Sequence, residues 1–395
     1  MFELSAQDRQ ALTAFLQDLV HIPSLSCRER QVAERLAAEM KAVGFDEVWI
    51  DRIGNVIGRI GPGTGPRLLF NSHMDTVDVG DLATWAHDPF GAEIVDGILY
   101  GRGAADMKGP MTSLVYGAKT LRDSRVKLAG DVYVVGVVQE EPCEGHAMRV
   151  LVEEEGLRPE WVVLAEPTNL QVSRGQRGRM ELHVTVHGRS CHASMPHKGE
   201  NAIYGAARII FALELLSDLL AYDSFLGKGT LAVTRIENTG GSKNVIPDSC
   251  TIVIDRRLTL GETEAKALAE VEGVIARERL RAEVRLAKFD YNSYTGYRCH
   301  DVEHYPAWVI PENHTLVQAA ARTVREVTGE RPAIGKWDFS TDGVYTMGVA
   351  GIPTVGIGPG EETQAHTADE HIRLADCYTA AQIYAKLAFE LVGQA

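Results

Sequence analysis

Short apolar runs that stop near an ionisable residue recur along this chain. RLLFNSHMD (67–75), VYVVGVVQEE (132–141) and WVVLAE (161–166) are three of them, and IPTVGIG (352–358) is a fourth. Such runs are rich in β-branched residues and too short for most helices. They read as strands buried on both faces. Between them lie segments with helical spacing. Leu12, Phe15, Leu16 and Leu19 mark a first helix with Ser5 as its cap. Val32, Leu36 and Met40 mark a second, with Gly44 just past its end. A third begins near Gly109, and a fourth runs through EGHAMRVLVEEEG. Strands alternating with helices predict an α/β fold, a mostly parallel sheet flanked by helices on both faces.

The texture changes near Met180. MELHVTVHG alternates like a half-exposed strand. A helix over roughly 202–220 follows, then the strands TLAVTRIEN and CTIVIDRRL, a helix over roughly 262–277 and the strand AEVRLAKFD. This β-α-β-β-α-β order predicts an inserted ferredoxin-like α+β domain over 180–292. It divides a catalytic α/β domain into a first part (1–179) and a second part (293–395). After residue 292 a loop-rich stretch leads to the helix HTLVQAAARTVREVTG. A chain of 395 residues is long enough for two such domains.

The net charge of −14 argues against nucleic acid or an anionic membrane as partner. No apolar stretch reaches membrane-spanning length. The N-terminal MFELSAQDRQ lacks the basic and apolar regions of a signal peptide. The six cysteines are scattered without CxxC spacing. Together these features predict reduced thiols and a cytoplasmic location.

The ionisable residues at the strand ends are all imidazoles or carboxylates. His73 and Asp75 stand two apart, so they face one side of an extended segment. Asp106 lies in the glycine-rich turn LYGRGAADMKG. Glu140 and Glu141 are adjacent, and two neighbouring anions that enter a cleft repel and pay for desolvation. Glu166 ends WVVLAE, and His366 lies in QAHTADE beyond the last strand. Singly, each is an ordinary turn, cap or surface residue. As a set, five strand-to-loop junctions each deliver an oxygen or imidazole donor with no thiolate, which suits zinc or a similar ion. Open α/β sheets hold their ligands at such strand ends.

The segments NSHMDTVD, YGRGAADMKG, QEEPCEG, AEPTN and AHTADE, in this order, resemble the co-catalytic di-zinc peptidase and deacylase family. That family includes acetylornithine deacetylase, succinyl-diaminopimelate desuccinylase, carboxypeptidase G and aminoacylase. The likeness spans nearly the whole chain, including the inserted domain, which in the family is a lid and dimerisation domain. It implies two Zn2+ ions, with Co2+ or Mn2+ able to occupy the same donors. Asp106 would bridge the ions, His73 and Glu166 would complete one site, and Glu141 and His366 the other. Asp75 would orient His73. Glu140 would be the general base, then the general acid. Two dications bring four positive charges and Asp106, Glu141 and Glu166 return three negative ones, so the further anion Glu140 is tolerable. A turn at Pro142 is expected to aim both glutamates at the cluster, because adjacent strand residues point to opposite sides.

The inserted domain and the last third add further candidates. HGRSCHASMPHKGENAI resembles the family's lid segment, in which the histidine, here His192, steadies the oxyanion, often in the partner subunit's site. NTGGSKNVIPDSC resembles the substrate-facing loop and makes Asn244 a polar contact. Arg257 in CTIVIDRRL either grips a substrate carboxylate or pairs with a lid acid. Thr341 and Asp342 in WDFSTDG are candidates to line the cleft, with a helix cap as the alternative for Asp342. Other histidines, among them His146, His314 and His371, are read as surface or packing residues.

The expected activity is zinc-dependent hydrolysis of an amide bond in an N-acyl amino acid or small peptide by metal-activated water. The alternatives are a dipeptidase or carboxypeptidase-type exopeptidase, an N-carbamoyl amino acid hydrolase, and a metal-retaining binding protein without turnover. The expected partners are the small substrate and a second copy of the chain, docked through the inserted domain.

Overall fold

The apolar runs become the middle of one sheet. The computed structural model describes residues 2–394. Its larger sheet has nine strands: β1 (Glu47–Ile50), β2 (Val56–Ile60), β3 (Arg67–His73), β4 (Asp131–Val137), β5 (Trp161–Leu164), β6 (Val172–Gln176), β7 (Trp308–Val309), β8 (Ile334–Trp337) and β9 (Thr354–Gly356). Their order is β1-β2-β4-β3-β5-β9-β6-β7, with β8 also on β6. The central strands β4, β3, β5 and β9 run parallel. The parallel core is buried on both faces, which is why its strands show no polar alternation. Towards the flanks the sheet turns antiparallel, at β1–β2, β2–β4, β9–β6 and β6–β7. The expectation of a mostly parallel sheet therefore holds for the centre.

The covering helices include α1 (Ala6–Val20), α2 (Arg30–Ala42), α3 (Gly109–Asp123), α4 (Thr315–Thr328) and α5 (Leu374–Val392). Ser5 caps α1 by accepting from the Asp8 N–H at 3.0 Å. His314 caps α4, its Nδ1 accepting from the Leu316 N–H at 3.2 Å. Close packing of α3 on α5 depends on Gly117, where a Cβ would stand 2.8 Å from the Ala381 carbonyl oxygen.

A second hydrophobic core, built on Leu182, Val184, Ile209, Ile252 and Val271, lies under a separate antiparallel sheet. Its main strands lie in the order Thr230–Asn238, Ser249–Leu258, Gly178–His187, Ala282–Leu286. Burial alternates strictly along Gly178–His187 and Ser249–Leu258. One face carries the helices Ala202–Ser217 and Glu264–Glu278, and the other meets solvent, hence the period of two. A further short strand, His304–Tyr305, pairs with Arg179 and Met180, so this sheet draws on residues beyond position 292. The run AEVRLAKFD is divided at Ala287. Its second half forms a hairpin, Lys288–Asn292 with Arg298–Val302, whose second strand lies in the stretch expected to be loop-rich. No helix among the described residues is long and apolar enough to cross a membrane.

Candidate metal centre

Parallel neighbours end on the same side of a sheet, and here three of those ends carry the acids and the imidazole. His73 is the last residue of β3 and pairs in register with Val137, the last of β4. Glu140 and Glu141 follow β4 by a short turn, and Glu166 follows β5. Asp106 comes from the buried turn ahead of α3, where its peptide bond to Met107 is cis. His366 comes from the loop after the 3-10 turn Glu362–Gln364, in the left-handed region at φ 62°.

Distant segments thus converge. His73 Nε2 lies 2.9 Å from Asp106 Oδ1 and 3.9 Å from Glu166 Oε1. His366 Nε2 lies 3.0 Å from Glu141 Oε2 and 3.5 Å from Asp106 Oδ2. Two donor groups result, His73–Asp106–Glu166 and Asp106–Glu141–His366, each with ligand atoms within 4.8 Å of one another. Asp106 belongs to both and turns a different oxygen to each. Tetrahedral donors about 2.0–2.1 Å from one ion stand about 3.3–3.4 Å apart, so both groups fit a divalent ion with small adjustments. His73 Nδ1 donates to the Asp75 carbonyl at 2.9 Å, which fixes the ring with Nε2 turned towards the acids.

The electrostatics are those of a site that needs positive charge. Burial, followed by neighbouring carboxylates, pushes the pKa of Glu140 and of Glu166 well above the usual range. Glu141 is raised by burial and then by Asp106. Burial acts to lower the His73 pKa, but its bond to Asp106 and the charges of Glu140 and Glu166 outweigh it and raise the value. Oε1 of Glu140 and Oε1 of Glu141 are both buried with no hydrogen-bond partner. Orphaned carboxylate oxygens beside two imidazoles are donors awaiting a cation, and an all-oxygen-and-nitrogen set suits zinc, cobalt or manganese.

The turn that presents Glu140 and Glu141 precedes them. Gln139 takes the left-handed region at φ 55°. Four consecutive N–H groups are then held by side chains. Asn55 Oδ1 accepts from Val138 at 3.1 Å and Glu29 Oε1 from Gln139 at 3.1 Å. Asp75 accepts from Glu140 at 3.1 Å and from Glu141 at 3.3 Å. The expectation for Asp75 is therefore refined. Its carbonyl orients His73, while its carboxylate, 3.6 Å from the His73 ring nitrogen, fixes the backbone of the glutamate pair. A second platform holds Asp106. Glu370, fully buried, accepts from Arg102 Nη1 at 2.7 Å and from the N–H groups of Gly103, Ala105 and Asp106 at 3.0, 2.9 and 2.9 Å. Glu29, Asn55 and Glu370 carry no signal in spacing or context that separates them from ordinary loop polar residues.

A cleft of about 310 Å3 opens on the cluster, and its walls add Glu144, Arg179, Arg257, Phe339, Ser340 and Glu362. Arg257 reaches the cleft, but its fork is engaged on Asp255 at 2.8 and 3.0 Å, which is the lid-acid alternative. Thr341 is fully buried and donates to Gln176 Oε1 at 2.5 Å; its neighbour Ser340 lines the cleft instead. Asp342 is likewise buried and accepts from Asn71 Nδ2 and the Gly145 N–H, each at 2.7 Å. His192 pairs with Val245 on a short ladder and Asn244 immediately precedes it, its carbonyl accepting from the Ala193 N–H at 2.8 Å; both are exposed and neither is on the cleft wall. His192 Nδ1 stands 2.7 Å from Ser194 Oγ, and Asn244 accepts from Ser242 at 2.6 Å. His146, expected at the surface or in packing, is buried with Nδ1 2.9 Å from Asp301.

The chain is similar to known proteins over nearly its whole length. The family model described as peptidase family M20/M25/M40 matches residues 69–390. The chain is 44% identical over 384 residues to YgeY of Escherichia coli (strain K12), covering 97% of this chain and 95% of YgeY. It is 29% identical over 395 residues to succinyl-diaminopimelate desuccinylase of Methylorubrum populi, covering 96% and 97% of the two chains. Among solved structures, the M20 family metallo-carboxypeptidase Sso-CP2 of Sulfolobus solfataricus superimposes with a TM-score of 0.75 at 19% identity, over 97% of this chain and 99% of that one. The YXEP protein of Bacillus subtilis, a dinuclear metal binding peptidase of the M20 family, gives a TM-score of 0.71 at 18% identity, over 98% and 99%.

Proposed function

The chain belongs to peptidase family M20/M25/M40, metallohydrolases that act on amide bonds, and from that premise we propose that it hydrolyses the amide of an N-acyl amino acid or small peptide with two divalent ions. One observation carries the reading: two three-residue donor groups share Asp106, with the unpartnered Glu140 in the same cleft. His73, Asp106 and Glu166 would hold one ion, and Asp106, Glu141 and His366 the other. When bound, such a pair supplies Lewis acidity and lowers the pKa of water towards about 7. Zinc is the expected metal, with cobalt or manganese as substitutes.

The chain's own groups do the rest. Glu140 accepts the proton of the attacking water at its free Oε1 and delivers it to the departing nitrogen. Its burial favours a carboxyl basic enough for both transfers. Asp75 and Glu29 hold the backbone that aims it. Glu370 fixes the Asp106 turn.

The homodimer reading draws support from the surface of the 178–286 sheet domain. Tyr204, Phe211 and Leu215 on one helix, with Leu219 just beyond it, are large apolar side chains left in water. The strand Thr230–Asn238 beside them is an unpaired edge. A second copy docking there covers both, and His192, which does not line this chain's own cleft, then serves the partner's.

The deciding experiment is a hydrolysis screen of N-acetyl, N-succinyl, N-carbamoyl and dipeptide substrates by the zinc-loaded enzyme. Turnover of an N-acyl amino acid or dipeptide is expected. Silence across the panel with two ions bound per chain would favour a binding protein.

A further inference from the structure

The segment that carries the paired glutamates is held from outside the catalytic sheet. It runs from Gln139 to His146, and both of its ends touch the hairpin formed by Lys288–Asn292 and Arg298–Val302. Cys299 and Asp301 stand two apart on the second strand, so they share one face. Cys299 is fully buried, whereas Arg298, His300 and Val302 are exposed. Cys299 Sγ donates to Gln139 Oε1 at 2.8 Å, and Gln139 Nε2 donates to Cys27 Sγ at 2.8 Å. Asp301 Oδ2 accepts from His146 Nδ1 at 2.9 Å. Between these two grips the Tyr305 hydroxyl donates to the Pro142 carbonyl at 3.3 Å. The hairpin is itself anchored. Its turn sits on the catalytic domain, where the Tyr294 hydroxyl donates to the Gly54 carbonyl at 2.8 Å and Thr295 Oγ1 to that of Arg52 at 2.7 Å. Its base grows from the smaller sheet domain, with the Ala287 N–H on the Glu181 carbonyl and the Glu303 N–H on that of Ala287, each at 3.0 Å. Gln139 is the left-handed residue directly before Glu140. With its N–H on Glu29 and its amide between two thiols, it cannot turn without breaking buried hydrogen bonds.

We propose that Cys299 and Asp301 are positioning residues for the metal-site glutamates: by gripping the Gln139–His146 segment at its two ends, they fix the direction of Glu140 and Glu141. This rests on the di-metal hydrolase reading above. The grip bears on the ion between Asp106, Glu141 and His366, because His73 and Glu166 are placed by strands of the catalytic sheet.

Zinc titration of the metal-free full chain against a chromophoric competitor reads the grip without turnover. The double variant Cys299→Ala, Asp301→Ala should weaken one of the two zinc steps by about 10- to 100-fold, the range for a lost outer-shell partner, and leave the other step unchanged. In the zinc-loaded enzyme its kcat should fall by up to about 100-fold, as for a group misplaced by about 1 Å, with KM little altered. Cys299→Ser keeps a donor and Asp301→Asn an acceptor, so both should retain most of the wild-type affinity. His300→Ala, on the opposite face of the strand, should match wild type. Unchanged zinc affinities in the double variant, whatever its melting temperature, overturn the proposal. So does equal weakening of both steps, or of the conservative and alanine variants alike. Should the double variant fail to fold, each single alanine variant is held to the same criteria. A wild-type chain that binds two zinc ions yet cleaves no substrate removes the hydrolase reading alone, since the affinities still decide the grip. A wild-type chain that binds no zinc overturns both.

Discussion

Replacing Glu370 by glutamine removes one charge and changes nothing in size. Oε2 of Glu370 receives Arg102 Nη1 and the Gly103 N–H, while Oε1 receives the N–H groups of Ala105 and Asp106. Each oxygen takes two donors, so a glutamine in either orientation sets its NH2 against two N–H groups. Two hydrogen bonds are lost in either orientation, and the Arg102 guanidinium, buried against the Trp85 ring at 5.2 Å, loses its anionic partner and keeps at most a neutral amide oxygen and the Asp78 carbonyl at 3.3 Å. Breaking a buried ion pair by removing one partner costs about 3–5 kcal/mol. At this chain length that lowers Tm by roughly 4–6 °C. Because Glu370 pins the Asp106 N–H, metal affinity should fall by about 10- to 100-fold as well. Thermal melts in chelator report the first effect, and zinc titration against a chromophoric competitor reports the second. Melting within about 1 kcal/mol of wild type, together with unchanged zinc affinity, would refute the reasoning and mean that the Glu370 carboxyl is already neutral.

Glu140→Gln should retain both ions and lose about 10²- to 10⁴-fold in kcat, checked by metal analysis and steady-state kinetics; near-normal turnover refutes the base. Glu29 gives a pH signature. Burial, then the charge of Asp75, pushes its carboxyl from an ordinary 4.5 up to about 8 in the folded chain. The folded state therefore binds more protons than the unfolded one between those values, and its stability falls as pH rises through that window, at most by about 1.4 kcal/mol per pH unit. Glu29→Gln keeps the acceptor and abolishes the titration, so urea unfolding in chelator from pH 5 to 8 should give a flatter profile than wild type; parallel profiles contradict this. His192→Ala should lower kcat with zinc content unchanged. Mixing its subunits with Glu140→Gln subunits should restore part of the activity, and no restoration counts against a shared site.

Several candidate donors were legible in the sequence because they closely follow an apolar run. A buried strand that stops at a histidine or glutamate announces both its position and its chemistry, as at His73 and Glu166. What aims those donors was not legible. The expected turn at Pro142 is present, its Cys143 N–H donating to the Glu140 carbonyl at 3.1 Å, but it is set by a left-handed Gln139 and by Asn55, Glu29 and Asp75, which hold the N–H groups of residues 138–141. These contacts join residues 65 to 110 positions apart, and no local pattern encodes them. Glu370 escaped for the same reason, since its partners lie 264 to 268 residues away. The strand Arg298–Val302 has no clear pattern in the sequence because it alternates weakly and sits mostly in solvent. Thr341 drew notice through its motif, whereas side-chain direction, which only the packing against Gln176 decides, turns it away from the cleft.

Anomalous diffraction from zinc-loaded crystals of the full chain tests the di-metal centre most directly. The expected map carries two peaks per chain, roughly 3.5–4 Å apart, one against His73 and Glu166, the other against Glu141 and His366, with Asp106 between. A single peak, or ions bound elsewhere while this cluster stays bare, would contradict it.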